Sequence, residues 1–391
     1  MVFYSELLVF ILRIQTPGSF DMATFRNTWV DIDLDRMTSN IEIIKKTSEK
    51  SIFGVIKANA YGHGDIEIAR HLERLSVSYL CVSSLDEAIN LRNHDIETPI
   101  IVLGYTETEH LSLAIDRRIT CVIPSKEWLE EALAQNNTLD RLILHIKIDS
   151  GMNRVGLKSI DEFKQVLHVA DAHNLNIEGI YTHLSSSNIE DGTITKKQIA
   201  KFQQFLDSTD KSFKWIHTSN SDAALSLGES DSISNAVRCG IAIYGYSTFE
   251  KGLSPVLSMY CGINQIKRLF PGDQVSYAAT YTTVSRETIA VLPIGYADGL
   301  DRKLQGYEFF VNGVACEVVG RVCMDLTMIR VPDHTTCKDI VEVIGKHSDA
   351  ARMANYLQTI SYEILTSINS RITRRYILNG KVTKICSERF D

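Results

Sequence analysis

Lys57 is the residue on which chemistry can be built. It follows a short apolar run, Phe53 to Ile56, in FGVIKANAYGHG (53–64), and two glycines, Gly62 and Gly64, follow it in a loop that opens into a helical pattern. At the mouth of a buried parallel strand an amine can be desolvated and shifted toward its neutral form, which attacks aldehydes. An imine with an aldehyde cofactor is an electron sink, through which the α-proton of a bound substrate amine becomes removable. Tyr61 lies four residues on, close enough to reach a group bound beside that amine. The same stretch also reads as a plain strand–loop–helix connection whose lysine is merely exposed. Further polar residues stand at the ends of apolar runs: Arg154, His183, Asn220, Ser221 and Arg238. Each has a bland reading as well. An arginine at a strand end is commonly an ion-pair partner, SNSD commonly caps a helix, and His183 reads as a satisfied core histidine.

The elements that must position these residues repeat regularly. Strand-like runs occur at FGVIKA (53–58), YLCVSS (79–84), PIIVLG (99–104), ITCVIP (119–124), LILHIKID (142–149), IEGIYTH (177–183), KWIHTS (214–219) and SNAVRC (234–239). Between them, stretches such as IEIARHLERL and IDEFKQVLHVADAH repeat apolar residues at three and four, as helices on a sheet do. Eight such alternations in about 190 residues point to an α/β chain built on a closed (β/α)8 barrel of the TIM type. An open doubly wound sheet is the alternative, but GxGxxG is missing after the first strand. In a barrel the active groups gather at the C-terminal ends of the strands, where these residues fall. From about Leu253 the chain turns to β-rich runs punctuated by glycine and proline, which read as a mainly antiparallel β domain with a hairpin at Asn312-Gly313. The expected division is an N-terminal extension (1–26), a barrel (27–252) and a β domain (253–391). The early run TWVDIDL is a candidate to pair with the last of these.

VIKANAYGHG resembles the cofactor-lysine signature of alanine racemases, and the resemblance runs from about Asn27 to the C-terminus. It implies pyridoxal phosphate bound to Lys57. The phosphate would be met by backbone at Gly240 and Ile241 and by hydroxyls of Ser221, Tyr61 and Tyr362, with Asn220 beside them. Arg238, in AVRCGIAIYG, would face the pyridine nitrogen and keep it from carrying a proton, with His183 linked to it. Racemisation needs proton donors on both faces of a flat intermediate. The resemblance gives one face to Lys57 and the other to Tyr277 in VSYAATYTT, contributed by the partner chain of a homodimer. A phenol ionises near pH 10, so such a base needs a cation beside it. Arg154 in KIDSGMNRVG matches the arginine that contacts both this tyrosine and the substrate carboxylate. Met324 and Asp325 in GRVCMD match residues of the carboxylate site, and Tyr296, Arg302 and Arg321 match the entrance corridor. Lys147 matches a lysine that is carbamylated in some relatives. Two residues depart from the family pattern: Ala278 where glycine is usual, and Asn188 where aspartate is common.

Composition narrows the function classes. With 391 residues and 44% hydrophobic content the chain can bury a large core. The net charge of -7, without a basic tract interleaved with aromatics, argues against a nucleic-acid partner. Eight scattered cysteines, with no CxxC pair and no cysteine–histidine cluster at zinc spacing, suit a reducing cytoplasm and suggest no metal site. LLVFIL (7–12) is too short to span a membrane and lacks the flanks of a signal peptide. Residues 1–21 therefore read as an upstream extension or a mis-assigned start, with Met22 as the alternative. The expected activity is interconversion of L- and D-alanine, supplying D-alanine for peptidoglycan. Its rivals are a racemase of the same fold acting chiefly on another amino acid such as serine, a fold-related amino-acid decarboxylase, and a non-enzymatic barrel protein that binds the same cofactor.

Overall fold

The structure, a computed structural model, describes residues 25–189, 191–227, 231–249 and 252–387. The extension at 1–21 and Met22 lie outside the described residues. The first strand, β1 (Thr28–Asp33), runs directly into a helix, Leu34–Ser48, whose first turn is capped by the Asp33 carboxylate accepting from the Arg36 amide. Eight parallel strands then close into a barrel: β2 (Ser51–Val55), β3 (Tyr79–Val82), β4 (Ile100–Val102), β5 (Ile119–Ile123), β6 (Ile143–Lys147), β7 (Asn176–Tyr181), β8 (Trp215–His217) and β9 (Ala236–Cys239). β2 pairs with both β3 and β9, which completes the ring. Helices cover the outside, so β3, β4 and β5 are buried along their whole length, as their unbroken apolar sequences require. Ser84, Ser125 and Ser159 each cap the next helix by accepting from the amide three residues on, which fixes where those helices start.

The second half contributes β10 (Leu257–Cys261), β11 (Gln265–Leu269), β12 (Gln274–Val275), β13 (Tyr281–Thr282), β14 (Glu287–Leu292), β15 (Glu308–Val311), β16 (Val314–Glu317), β17 (Thr327–Val331), β18 (Val341–Ile344), β19 (Thr373–Leu378) and β20 (Lys381–Cys386). They form a seven-stranded sheet in the order β16-β15-β18-β10-β1-β19-β20, a three-stranded sheet β11-β14-β17, and the ribbon β12-β13. β1 is thus a member of the second half's sheet, antiparallel to β10 and parallel to β19, the pairing for which TWVDIDL was a candidate. Asn312 and Gly313, both at positive φ, turn β15 into β16.

Two features differ from the sequence expectations. The first barrel strand ends at Val55 rather than Ala58, so Lys57 stands two residues beyond it. β20 was not anticipated, although Asn379-Gly380, again both at positive φ, carries the same hairpin signal as Asn312-Gly313.

Three histidines, His63, His145 and His217, are completely buried. Burial is the main cause that lowers the affinity of each for a proton, to about 3 in His63. The unfolded chain takes up these protons near the ordinary histidine value of about 6.5, whereas the folded chain refuses them. Stability is therefore complete above about pH 6.5 and falls below it, by roughly 1.4 kcal/mol per pH unit for His63, with His145 and His217 contributing in the same direction. Denaturant midpoints measured at about pH 7.5 and about pH 5.5 should show this decline; equal midpoints would mean that these imidazoles protonate within the folded protein.

Candidate active site

Lys57 opens a short turn in which Ala58, Asn59, Ala60 and Tyr61 have φ of 53°, 54°, 49° and 53°. Four successive residues with side chains in the left-handed region cost roughly 1–2 kcal/mol each, so neighbouring groups must hold the turn. The Glu87 carboxylate accepts from the Ala58 amide at 2.7 Å, and Asn59 Oδ1 accepts from the Asp65 amide at 2.9 Å. From β19, Arg374 donates to the Gly62 carbonyl at 3.0 and 2.9 Å, and the Tyr376 hydroxyl to the His63 carbonyl at 2.9 Å. The turn brings Lys57 and Tyr61 to one cavity of about 400 Å³ at the C-terminal mouth of the barrel, a volume within the range of small-molecule sites, about 300–1,000 Å³. Arg154, His183, Asn220, Ser221, Arg238, Gly240, Ile241, Tyr362 and Lys147 border the same cavity. The barrel-borne candidates therefore converge. Lys57 and Arg154 are exposed in the single chain, so the desolvation expected of the amine is not provided by the barrel alone.

Arg238 is buried in the cavity wall. It donates to His217 Nδ1 and the His217 carbonyl at 2.9 and 2.7 Å, and to the Thr182 and Thr218 carbonyls at 2.7 and 3.0 Å. Its fifth contact is His183 Nδ1 at 3.3 Å. Burial, then the Arg238 charge, drives the proton affinity of His183 down to about 2, so it meets Arg238 as a neutral acceptor. Lys147 is also buried, its ammonium 4.4 Å above the Tyr181 ring. Burial followed by the charges of Arg238 and Arg154 moves Lys147 well below the ordinary lysine value, against the opposing pull of Asp149.

At another part of the cavity, Ser221 Oγ accepts from the Gly240 and Ala242 amides at 3.0 and 3.2 Å. Asn220 caps the helix Ser221–Ser226 by accepting from the Ala223 amide, as the helix-cap reading of SNSD expects. Gly240 is held to glycine by contact: a Cβ there would sit 2.4 Å from the Tyr61 hydroxyl oxygen. Tyr61 lies 5.8 Å from Tyr362 between ring centres, which puts two phenols near these amides. A cluster of hydroxyls and backbone N–H groups of this kind suits a phosphate.

The remaining candidates lie apart. Tyr277 is 68% exposed, on a tight turn between β12 and β13 in which Ser276, Ala278 and Ala279 all have positive φ. The Ser276 hydroxyl donates to the Arg321 carbonyl at 2.6 Å, tying that turn to the Arg321 loop. Asp325 accepts from Arg371, which also pairs with the buried Asp298, both at 2.7 Å. The amides of Tyr296 and Ala297 bond the carbonyls of Cys323 and Met324, and Arg302 lies 5.9 Å from the Tyr296 ring. Tyr277, Tyr296, Arg302, Arg321, Met324 and Asp325 thus belong to connected loops of the second half, and none borders the Lys57 cavity of the same chain. Ala278, at φ 60°, occupies a conformation that glycine adopts without strain. Asn188 borders a larger adjoining groove of about 800 Å³. Sequence reasoning missed Tyr181, His217 and His145 as neighbours of Arg238. Their only signal was a polar or aromatic residue inside an apolar barrel run, LILHIKID, IEGIYTH or KWIHTS.

The family profile "Alanine racemase, N-terminal domain" matches residues 32–248, and "Alanine racemase, C-terminal domain" matches residues 256–376. An alanine racemase of Staphylococcus saprophyticus is 38% identical over 368 residues, covering 90% of this chain and 95% of the relative. Among solved structures, alanine racemase from Bacillus anthracis with bound L-Ala-P superposes with a TM-score of 0.88 at 36% identity, covering 95% of this chain and 99% of that one. A histidine racemase from Leuconostoc mesenteroides gives 0.84 at 26% identity, covering 91% of this chain and 99% of that one. The chain belongs to the alanine racemase family, isomerases that interconvert L- and D-alanine.

Proposed function

We propose that the chain racemises alanine with pyridoxal phosphate held at Lys57, in a site completed by the partner's Tyr277 in a homodimer. The observation that carries this reading is Arg238, a permanent cation buried in the wall of the Lys57 cavity with no carboxylate partner among the described residues. When bound, the cofactor supplies an electron sink that makes the α-hydrogen of the substrate acidic. Arg238 would hold the ring end of the cofactor and, being a cation already, would disfavour a second positive charge on the nitrogen beside it. A decarboxylase would be expected to present a carboxylate there. Ser221, Gly240, Ile241, Tyr61 and Tyr362 fit the phosphate, with Asn220 holding the helix start beside them. Arg154, at the rim, fits the substrate carboxylate. Met324 and Asp325 from the partner would close that side, with Tyr296, Arg302 and Arg321 forming the entrance. The product would be D-alanine for peptidoglycan, and scattered cysteines with no CxxC pair fit a cytoplasmic setting.

The dimer reading is supported by exposure. Tyr277, Tyr296, Met324 and Leu326 are 68%, 40%, 53% and 39% exposed, on loops whose family counterparts complete the neighbouring site. Chiral chromatography of L-alanine, L-serine and L-histidine incubated with the cofactor-loaded protein tests the function. Alanine should be converted fastest. Faster conversion of serine or histidine, or carbon dioxide release from ornithine, lysine or arginine, would overturn the assignment.

Lys147 supports a further part of the same reading. An amine whose protonation is disfavoured by burial and by the charges of Arg238 and Arg154 can add carbon dioxide with release of a proton to solvent, and the resulting carbamate anion would be paired by those arginines. Protein incubated with ¹³C-labelled bicarbonate should show one carbamate carbonyl resonance that disappears in Lys147→Gln. Its absence from the wild-type protein would show that Lys147 stays a free amine.

A further inference from the structure

Behind Arg238 a line of side chains crosses the barrel interior. Arg238 Nη1 lies 2.9 Å from His217 Nδ1, and His217 Nε2 lies 2.9 Å from His145 Nδ1. His145 Nε2 in turn lies 3.6 Å from Glu178 Oε2. The four residues come from β9, β8, β6 and β7. Glu178 precedes the cavity residue Tyr181 by three positions on β7, so it lies about 10 Å further from the mouth. Lys214, at 2.7 Å, and the Tyr79 hydroxyl also bond its carboxylate.

The two ends fix the direction of this line. A guanidinium can only donate and a carboxylate can only accept. His217 must therefore receive Arg238 on a bare Nδ1, carry its hydrogen on Nε2, and donate to a bare Nδ1 of His145. That leaves the His145 hydrogen on Nε2, a completely buried atom with no hydrogen-bond partner among the described residues, whose one facing charge is the Glu178 carboxylate at 3.6 Å, an electrostatic contact longer than a hydrogen bond. Burial lowers the proton affinity of both imidazoles, with Arg238 the next cause for His217. Packing fixes the rings in this arrangement. Gly179 stands opposite His145 in the β6–β7 register, and a Cβ there would come within 2.6 Å of the ring. His217 stacks on Tyr181 with centres 4.6 Å apart and planes 3° from parallel. The other acceptors around Arg238 are three backbone carbonyls and His183, so the line leads to the one carboxylate linked to its charge among the described residues.

We propose that Glu178 is a positioning residue for Arg238, acting through His145 and His217 across the barrel interior. Its effect on turnover rests on the proposed placement of Arg238 against the pyridine nitrogen, but the line of side chains itself, two hydrogen bonds and one charged contact, does not. Nitrogen-15 labelling of histidine and arginine side chains in the cofactor-loaded protein tests it. Both imidazoles should carry hydrogen on Nε2 and none on Nδ1. In Glu178→Gln, where the anionic end is lost, the N–H resonances of His145, His217 and Arg238 should shift together. The kcat for alanine should fall roughly tenfold, the usual cost of removing the group behind an oriented histidine, with KM changed less than about twofold. Tyr79→Phe, which keeps the carboxylate, should leave His217 and Arg238 unmoved. Hydrogen on Nδ1 of either imidazole in the wild-type protein would overturn the proposal without need of any variant. A Glu178→Gln shift confined to His145 would overturn it as well. The resonances do not depend on turnover, so a protein with this pattern but inactive on alanine would refute the functional reading and leave the line standing.

Discussion

Lys57→Ala is expected to lower alanine racemisation by roughly ten-thousandfold or more, in both directions, and to abolish the visible absorbance of covalently held cofactor. Two losses combine in this variant. In the proposed site the amine would anchor the cofactor and, once displaced by substrate, would be the group available to carry a proton on its face. The turn from Ala58 to Tyr61 is held by Glu87, Asn59, Arg374 and Tyr376 rather than by the Lys57 side chain, so the variant should fold with an unchanged melting profile. The check is a spectrum and a rate on the same preparation. A variant that keeps both would place the chemistry elsewhere in the cavity.

Tyr277→Phe is expected to slow removal of the α-hydrogen from one enantiomer by about 10²–10⁴-fold, the range for loss of a positioned acid or base. The opposite enantiomer should lose its α-hydrogen at a much less altered rate, because Lys57 would still serve that face. Exchange of the α-hydrogen in deuterated water, followed separately for L- and D-alanine, distinguishes the two. Equal slowing of both would contradict the division of the two faces between an amine and a phenol. The variant removes only an exposed hydroxyl on the β12–β13 turn, so its fold is not at issue.

The barrel was legible because β3, β4 and β5 are buried along their length and the remaining strands are mostly apolar, with amphipathic helices between them. That pattern also placed Arg154, His183, Ser221 and Arg238 on one rim, where they border the Lys57 cavity. The route by which Lys57 and Tyr61 reach the cavity was not legible. Left-handed backbone is signalled in sequence by glycine or asparagine, whereas here two alanines and a tyrosine adopt it under a clamp from Arg374, 312 positions away from Gly62. The line from Arg238 to Glu178 escaped notice because His145, Glu178 and His217 are unremarkable one at a time. Only barrel closure brings them into register. The proposal for Tyr277 comes from family resemblance alone, because Tyr277 does not border the cavity of its own chain.

The claim that the site joins Lys57 of one chain to the partner's Tyr277 is tested most directly by mixing two inactive variants. Lys57→Ala and Tyr277→Phe chains, unfolded together and refolded in equal amounts with pyridoxal phosphate, should form about half mixed dimers, each with one complete site and one doubly defective site. The account predicts recovery of about one quarter of wild-type racemase activity from two preparations that are separately inactive. If the mixture forms mixed dimers and stays as inactive as its components, the two residues serve within a single chain or do not act together, and the account is wrong.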